Sequence, residues 1–286
     1  MIKVAVLGSG SRGNAIALRA EGTTVLIDAG FGLRALAKRA ARADVMLDPM
    51  AAIALTHEHG DHVRGAAALA HRYGCPVLAS PGTLEGVRLD GITTVPLLPH
   101  ESRHAGPFRI EAARTSHDAT EPVALTITSR TGTKVGVAYD LGRATAAVRY
   151  LLRDCTVLIL EANHDEVMLQ TGPYPATVRH RISGSTGHLS NRCAAELAAE
   201  VWSPALEVVV LVHVSERCNR VELARDTMAR ALRHKGFSGK LLVAGQDEPL
   251  PAFTTPKVSQ LPLDLPESPG PPSPSRAEAP TPASYE

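Results

Sequence analysis

Short apolar runs alternate with amphipathic segments along the first 250 residues of the chain. Runs over 2–7, 15–20 and 23–28 are mainly aliphatic and predict β-strands, whereas the segment 33–43 repeats its apolar positions with helical spacing. Further strand-like and helix-like segments follow as far as residues 240–244. This alternation predicts an α/β protein.

The densest polar cluster lies between a predicted strand over 51–55 and a predicted helix over 63–73. It reads Thr-His-Glu-His-Gly-Asp-His and contains His57, His59, Asp61 and His62. Alternate side chains of an extended segment share one side, so the first two histidines are expected to face the same point. Taken singly, these residues could be solvated side chains or a helix cap, but four in this order favour a metal site.

Three later strands also end on a residue that can bind a metal. His117 follows the predicted strand 109–116, Asp140 follows 134–139, and His213 follows the wholly apolar run 208–212. In α/β proteins, functional residues gather at the carboxyl ends of strands. Imidazole and carboxylate donors without thiolates favour catalytic zinc, manganese or iron over structural zinc. The sequence therefore predicts a catalytic metal site.

A run of cations, hydroxyls and glycines over residues 179–192 is a candidate phosphate cradle. It contains Arg179, Arg181 and His188 and leads into a helix predicted to begin at Leu189. Backbone N–H groups at such a helix start, together with cations, bind phosphate. Solvated arginines beside an ordinary helix cap are the alternative interpretation.

The chain resembles the metallo-β-lactamase superfamily in the order of these histidines and aspartates. Five further motifs resemble its bacterial YycJ-like (WalJ-like) branch, which has reported 5′-to-3′ exodeoxyribonuclease activity: Gly-Ser-Gly-Ser-Arg-Gly-Asn at 8–14, Ile-Asp-Ala-Gly at 27–30, Glu-Ala-Asn-His-Asp at 161–165, Gly-Pro-Tyr-Pro at 172–175 and Gly-His-Leu-Ser-Asn at 187–191. The resemblance extends to about residue 248. It implies a four-layer αβ/βα sandwich of two facing mixed β-sheets flanked by helices.

The resemblance also implies a ligand set for two divalent metal ions per chain, Zn²⁺ or Mn²⁺. One ion would be held by three histidines, the other by an aspartate and two histidines, and one aspartate would bridge them: His57, His59 and His117; Asp61, His62 and His213; and Asp140. The segment after the last ligand departs from the family pattern. It reads Ser-Glu-Arg-Cys-Asn at 215–219, so Cys218 replaces an amide.

Two further carboxylates end predicted strands. Glu161 follows the apolar run 156–160 and is expected either to point at the sheet edge or to cap the next helix. Asp28 ends the strand 23–28, and the superfamily resemblance implies that it orients a metal ligand without binding the metal itself.

The resemblance implies a phosphodiesterase in which a metal-bridging hydroxide attacks nucleic acid, most simply a 5′-to-3′ DNA exonuclease. The catalytic residues would be Asp61, Asp140, Glu161 and His188, with Arg179, Arg181 and His188 binding substrate. The same kind of site also hydrolyses thioesters, as in glyoxalase II, and processes RNA. A metal-binding scaffold or sensor is the non-enzymatic alternative.

Composition limits the remaining possibilities. The net charge of +1 over 286 residues does not by itself indicate nucleic acid, and 44% apolar residues suffice for a core. The chain opens on a strand without a secretory pattern, which predicts a cytoplasmic protein without a membrane partner and leaves the oligomeric state open. Eleven of the 21 prolines lie within residues 249–286. We therefore predict a catalytic domain over 1–248 and a disordered tail over 249–286.

Overall fold

Two seven-stranded β-sheets face each other in the computed structural model, which describes residues 1–255. The first sheet contains β1 (Lys3–Gly8), β2 (Ala15–Ala20), β3 (Thr23–Ile27), β4 (Met50–Ala54), β5 (Val77–Ala79), β6 (Thr94–Pro96) and β14 (Phe253–Thr254). Its strand order is β14-β1-β2-β3-β4-β5-β6. Strands β3 to β6 are parallel, and the other pairs are antiparallel.

The second sheet has the same mixed character. It contains β7 (Ser102–Ala105), β8 (Phe108–Arg114), β9 (Val123–Ser129), β10 (Lys134–Ala138), β11 (Val157–Glu161), β12 (Val208–Val212) and β13 (Lys240–Val243). These strands follow the order β13-β12-β11-β10-β9-β8-β7, with β10 to β13 parallel. Parallel strands in both sheets therefore bring several carboxyl ends to the site described below.

Helices cover the outer faces of both sheets. They are α1 (Leu33–Arg42), α2 (Gly60–Val63), α3 (Ala66–Tyr73), α4 (Pro81–Gly86), α5 (Ala146–Leu151), α6 (Glu166–Thr171), α7 (Ala176–Ser183), α8 (Asn191–Val201) and α9 (Val221–Arg233). Side chains from both sheets share one core, a second core joins the first sheet to α1 and α3, and a third joins the second sheet to α5, α8 and α9. Strands buried on both faces are almost wholly apolar, as the 208–212 run is. This architecture confirms the predicted four-layer αβ/βα sandwich.

The helix predicted over 63–73 is divided into α2 and α3 at Gly65. A Cβ atom at this glycine would lie 2.0 Å from the carbonyl oxygen of Phe31, so the backbones meet there without room for a side chain. The Gly65 N–H donates to the carbonyl of Ala29 at 2.7 Å, which links the break to the loop after β3. The hydrophobic spacing could not show this contact, because it depends on a distant segment.

Residues beyond the predicted domain boundary at 248 also pack onto the sandwich. Strand β14 pairs with β1, and the Leu250 N–H donates to the carbonyl of Val6 at 2.9 Å. We therefore extend the proposed catalytic domain to residue 255. The predicted disordered tail lies, from residue 256 onward, outside the described residues. Among residues 1–255, no helix combines the length and apolar character needed to cross a membrane.

Candidate metal centre

Three residues of the centre, two aspartates and one histidine, adopt an unusual backbone conformation just after a strand. Asp28 after β3, Asp140 near the end of β10 and His213 after β12 have φ angles of 54°, 54° and 52°. The left-handed region costs roughly 1–2 kcal/mol for a residue with a Cβ. Such local strain persists where the surrounding structure enforces it, and it often marks functional sites.

Three histidine rings form the first ligand group. His57 and His59 lie between β4 and α2, and the Nε2 atom of His57 is 3.0 Å from the Nδ1 atom of His59. His117 enters from the loop after β8, with its ring centroid 5.0 Å from that of His57. One ring nitrogen from each histidine lies within 4.8 Å of the others. These residues could hold one metal ion.

A second group joins His62 and Asp140 to His57. The Nε2 atom of His62 is 2.8 Å from Oδ2 of Asp140, and Nε2 of His57 is 3.9 Å from the same oxygen. Asp61 lies beside this group, with its Oδ2 atom 3.5 Å from Nε2 of His62. The helix α2 places Asp61 and His62 at its start, as the sequence motif predicted.

The third group lies on the other side of Asp140. His213 Nδ1 is 3.1 Å from Oδ1 of Asp140, and His188 Nδ1 is 3.2 Å from the same oxygen. Glu161, the last residue of β11, completes the group at 2.7 Å from His188 and 3.2 Å from His213. Asp140 is thus shared between the second and third groups.

The donors present fit a bound metal ion. The Nε2 atom of His213 is buried and has no hydrogen-bond partner within residues 1–255, and both buried oxygens of Asp140 face imidazole nitrogens at 2.8–3.2 Å without a well-formed hydrogen bond. Leaving buried polar atoms unpaired is costly, so a cation between them would satisfy these groups. Burial, reinforced by neighbouring His62, holds the pKa of His57 well below its usual range. His57 is therefore neutral at neutral pH, which is the form that binds metal.

Glu161 and His188 form a charged pair in the absence of other ions. Burial opposes ionisation of both groups, but their mutual attraction outweighs it. The pKa of Glu161 is lowered to about 2, and that of His188 is raised to about 10. Two backbone N–H groups, of Leu141 and Leu189, also donate to Glu161. These contacts direct the Glu161 carboxylate to the sheet edge, and in the metal-free site they favour the charged form of His188.

Asp28 supports the centre through a closed hydrogen-bond network. Its fully buried carboxylate accepts hydrogen bonds from the Thr56 N–H, the Thr56 hydroxyl and the Tyr139 hydroxyl at 2.5–2.8 Å. Its Oδ2 atom also lies 2.6 Å from Nδ1 of His62. Burial opposes the charge on His62, but without a metal ion Asp28 and Asp140 raise the pKa of His62 well above its usual range, so metal binding at its Nε2 atom would release a proton. The contacts support the expected orienting role for Asp28.

The glycine-rich loop between β1 and β2 also reaches the centre. Its Asn14 side chain places Nδ2 3.4 Å from Oδ2 of Asp61 and 3.1 Å from Nε2 of His62. Ser9 donates from its hydroxyl to Asn14 and accepts a hydrogen bond from the His213 N–H. The sequence motif 8–14 contains Ser9 and Asn14, but on its own it indicates only a tight turn and not that these residues reach the centre.

Gly30, beside this loop, lies where its own backbone and that of Asp61 approach each other closely. A Cβ atom at Gly30 would lie 1.8 Å from the carbonyl oxygen of Asp61. We expect Gly30→Ala to lower the free energy of unfolding by about 2–3 kcal/mol and to reduce metal content, because the Asp61 segment must move. Chemical denaturation and elemental analysis measure both. Gly245→Ala is the control, since a Cβ there meets no atom within 4 Å; equal effects of both changes would contradict the expectation.

A cavity of about 490 Å³ opens beside His188 and His213. Most of its walls come from the glycine-rich loop, the α6–α7 connection and the turn after β12, with single residues from after β11, from α7 and from after β13: Gly10, Ser11, Arg12, Tyr174, Val214, Ser215, Glu216, Arg217, Asn163, Ile182 and Gln246. The sequence does not predict Arg12 or Arg217 as residues of this cavity. Arg12 lies in the segment 8–14 and Arg217 in the segment 215–219, and neither segment has the spacing of a known ligand-binding motif.

The structure does not bring the two predicted substrate-binding arginines into this cavity. Arg179 donates to the carbonyl of Tyr174 in its own connection at 2.8 Å, and Arg181 lies 3.4 Å from Asp118 on the surface. Both belong to α7, which has no buried residue. The helix α8 begins at Asn191 with the Ser190 hydroxyl as its cap, rather than at Leu189. Of the predicted phosphate cradle over 179–192, only Ile182 and His188 line this cavity.

A two-sheet sandwich with a histidine-aspartate cluster at its strand ends is the architecture of the metallo-β-lactamase fold of hydrolases. The family model described as β-lactamase superfamily domain matches residues 23–214. Exodeoxyribonuclease YycJ of Bacillus anthracis is 30% identical over 237 residues, which cover 81% of this chain and 89% of that protein. The chain therefore belongs to the β-lactamase superfamily and, within it, to the YycJ-like (WalJ-like) family, as its motifs predicted.

Other comparisons agree with this membership. Exodeoxyribonuclease WalJ of Streptococcus pneumoniae is 28% identical, over 80% of this chain and 88% of that protein. The crystal structure of the metallo-β-lactamase-fold protein YhfI from Bacillus subtilis matches with a TM-score of 0.66 at 19% identity, covering 88% of this chain and 99% of that one. The crystal structure of the short form of human tRNase Z matches with a TM-score of 0.61 at 18% identity, covering 89% of this chain and 99% of that one. These two structures support the fold.

Proposed function

We propose that the protein is a dinuclear metal-dependent phosphodiesterase that degrades DNA from the 5′ end. The position of Asp140 is the observation that carries this proposal. Its Oδ2 atom faces His57 and His62, and its Oδ1 atom faces His213, so one carboxylate contacts residues of both proposed metal sites. A carboxylate in this position could hold two cations close together, which is the arrangement that two-metal hydrolases use.

In this proposal, one metal ion is held by His57, His59 and His117, and the other by Asp61, His62 and His213. The donor set of imidazoles and carboxylates suits Zn²⁺ or Mn²⁺. Two such ions supply Lewis-acid polarisation of a phosphoryl oxygen and a low-pKa water. Asp140 positions both ligand sets relative to each other, and Asp28 fixes the ring of His62 through Nδ1.

His188 and Glu161 serve the phosphate in the proposed reaction. The ring of His188 is half-buried next to Asp140, where its protonated form would donate a hydrogen bond to a phosphoryl oxygen or a proton to the leaving oxygen. The fully buried Glu161 carboxylate accepts from the Nδ1–H of His188 and keeps that ring charged and oriented. Arg179 and Arg181 then act away from the reacting phosphate.

DNA is proposed as substrate because the relatives that cover most of this chain are named exodeoxyribonucleases. The surroundings of the centre agree with a polyanion. Arg217 lines the cavity beside His188, and Arg179, Arg181 and Arg192 lie on the adjoining α7 and α8 segments. Cationic side chains neutralise phosphates along a strand, so binding should weaken as salt rises.

The first experiment follows duplex DNA labelled at the 5′ or the 3′ end. We expect stepwise release of mononucleotides from the 5′ end in Mn²⁺ or Zn²⁺, and less than about 1% of that rate after chelation, because the donors alone provide no nucleophile at neutral pH. Gel analysis of both labels reports the polarity. Single-stranded DNA and RNA of the same sequence define the preference. Release from the 3′ end would overturn the polarity, and intact DNA with metal-loaded protein would overturn the nuclease proposal.

A further inference from the structure

The Gly-Pro-Tyr-Pro motif at 172–175 forms a rigid turn between α6 and α7. A Cβ atom at Gly172 would lie 2.5 Å from the carbonyl oxygen of Met168, so only glycine fits where the helix ends. Prolines on both sides restrict the backbone of Tyr174, and the guanidinium of Arg179 donates to its carbonyl at 2.8 Å. This construction leaves the backbone at Tyr174 few alternative conformations.

The ring of Tyr174 belongs to the cavity beside the metal centre. Tyr174 and Arg217 line it together with His188 and His213, and the Arg217 guanidinium carbon is 5.9 Å from the centre of the Tyr174 ring. Within residues 1–255, no carboxylate lies within 4.0 Å of Arg217. The neighbouring Arg12, in contrast, pairs with both Glu216 and Asp247. Arg217 is thus the cavity arginine whose charge is available to a ligand.

We propose that this cavity receives the 5′-terminal nucleotide of the DNA strand, with the base stacked on Tyr174 and a phosphate of that nucleotide contacted by Arg217. The inference rests on the proposed nuclease function and adds the binding site for the unit that is released. His188 and His213 belong to both the cavity and the metal centre. A nucleotide bound there would place its linkage to the next nucleotide beside Asp140.

The chemistry of the walls favours a nucleotide over other small ligands. An aromatic face stacks on any base, independent of sequence, and a guanidinium pairs well with phosphate. The volume of about 490 Å³ lies at the lower end of the range for sites of single small ligands. A site of this size accommodates one nucleotide and not a length of duplex, which agrees with release of single units.

The test removes the terminal base and the Tyr174 ring separately and together. Substrates are 5′-phosphorylated DNA strands that carry either a normal 5′-terminal nucleotide or an abasic tetrahydrofuran residue at that position. For the wild type, we expect removal of the base to raise KM about tenfold or more with a smaller change in kcat. For Tyr174→Ala, KM for normal DNA should rise by a similar factor, and the difference between the two substrates should fall below about twofold.

Two further variants separate stacking from other roles of these residues. Tyr174→Phe keeps the ring and should retain the wild-type discrimination against the abasic end. Arg217→Ala should raise KM for both substrates by about the same factor, because it acts on the phosphate rather than the base. Tyr150→Ala is the matched control, since Tyr150 is an exposed tyrosine that lines a separate cavity with Glu111 and Leu151. It should behave as the wild type.

The outcomes distinguish this inference from the nuclease proposal. If the wild type degrades DNA from the 5′ end but Tyr174→Ala retains the full penalty for an abasic end, the base does not stack on Tyr174. Loss of activity in Tyr174→Phe equal to that in Tyr174→Ala would also overturn the stacking role. If metal-loaded wild type leaves DNA intact, the nuclease proposal fails first. Metal content and thermal unfolding of each variant confirm that the comparison concerns folded protein.

Discussion

Asp140→Asn is expected to reduce kcat/KM for DNA by at least about 10³-fold and to lower the amount of metal bound per chain. The asparagine keeps the size of the side chain but removes the negative charge that faces His57, His62 and His213. An amide is a poor bridge between two cations, and its N–H₂ group would be placed against one of the donor sets. Steady-state kinetics and elemental analysis of purified protein measure the two effects.

Asp90→Asn is a suitable control for this change. Asp90 is an exposed carboxylate whose ion pair with Arg88 lies on the surface, so its replacement alters the net charge by the same amount. Its kcat/KM and metal content should match the wild type. Retention of activity within about twofold in Asp140→Asn would show that Asp140 does not join the two metal sites, and the dinuclear proposal would then fail.

Asp28→Asn is expected to weaken metal binding about 10–100-fold and to lower the free energy of unfolding by about 3 kcal/mol. Asp28 is completely buried, and its oxygens receive the N–H and hydroxyl of Thr56 and the hydroxyl of Tyr139 while facing His62. An amide nitrogen cannot accept these hydrogen bonds. His62 would then lose the partner that orients its ring.

Competition with a metal indicator and denaturant unfolding of the metal-free protein measure these effects of Asp28→Asn separately. Tyr139→Phe removes only one of the donors and should cost about 1 kcal/mol with little loss of metal affinity. Asp226→Asn on the exposed side of α9 controls for charge. Metal affinity unchanged in Asp28→Asn, despite lower stability, would assign this residue to folding alone.

The pair of His188 and Glu161 illustrates how tertiary structure redefines a sequence motif. In the sequence, Glu161 ends an apolar strand and His188 lies among arginines and glycines. In the fold they are 2.7 Å apart and 27 residues distant along the chain. Parallel strand β11 delivers the carboxylate, and the loop before α8 delivers the ring. Because Glu161 and His188 are in direct contact, this carboxylate at the end of a strand is part of the centre.

The sequence alone was sufficient to predict the class of fold and the main metal-binding candidates. Short apolar runs of five to seven residues favour strands buried on both faces, because such runs are too short for a typical buried helix. Residues that follow such strands meet at one edge by the geometry of parallel pairing. For this reason His57, His59, His62, Asp140 and His213 could be identified before their distances were known.

Only the tertiary structure decided which other residues reach the centre. The neighbours of Asn14, Tyr174 and Arg217 come from segments far away in sequence, and no local period records such contacts. Arg179 and Arg181 had the right chemistry but lie on a helix that presents no buried face, whereas Arg217 enters the cavity from the turn after β12. Local patterns determine elements and their ends, but the packing of separate elements determines which side chains share a cavity.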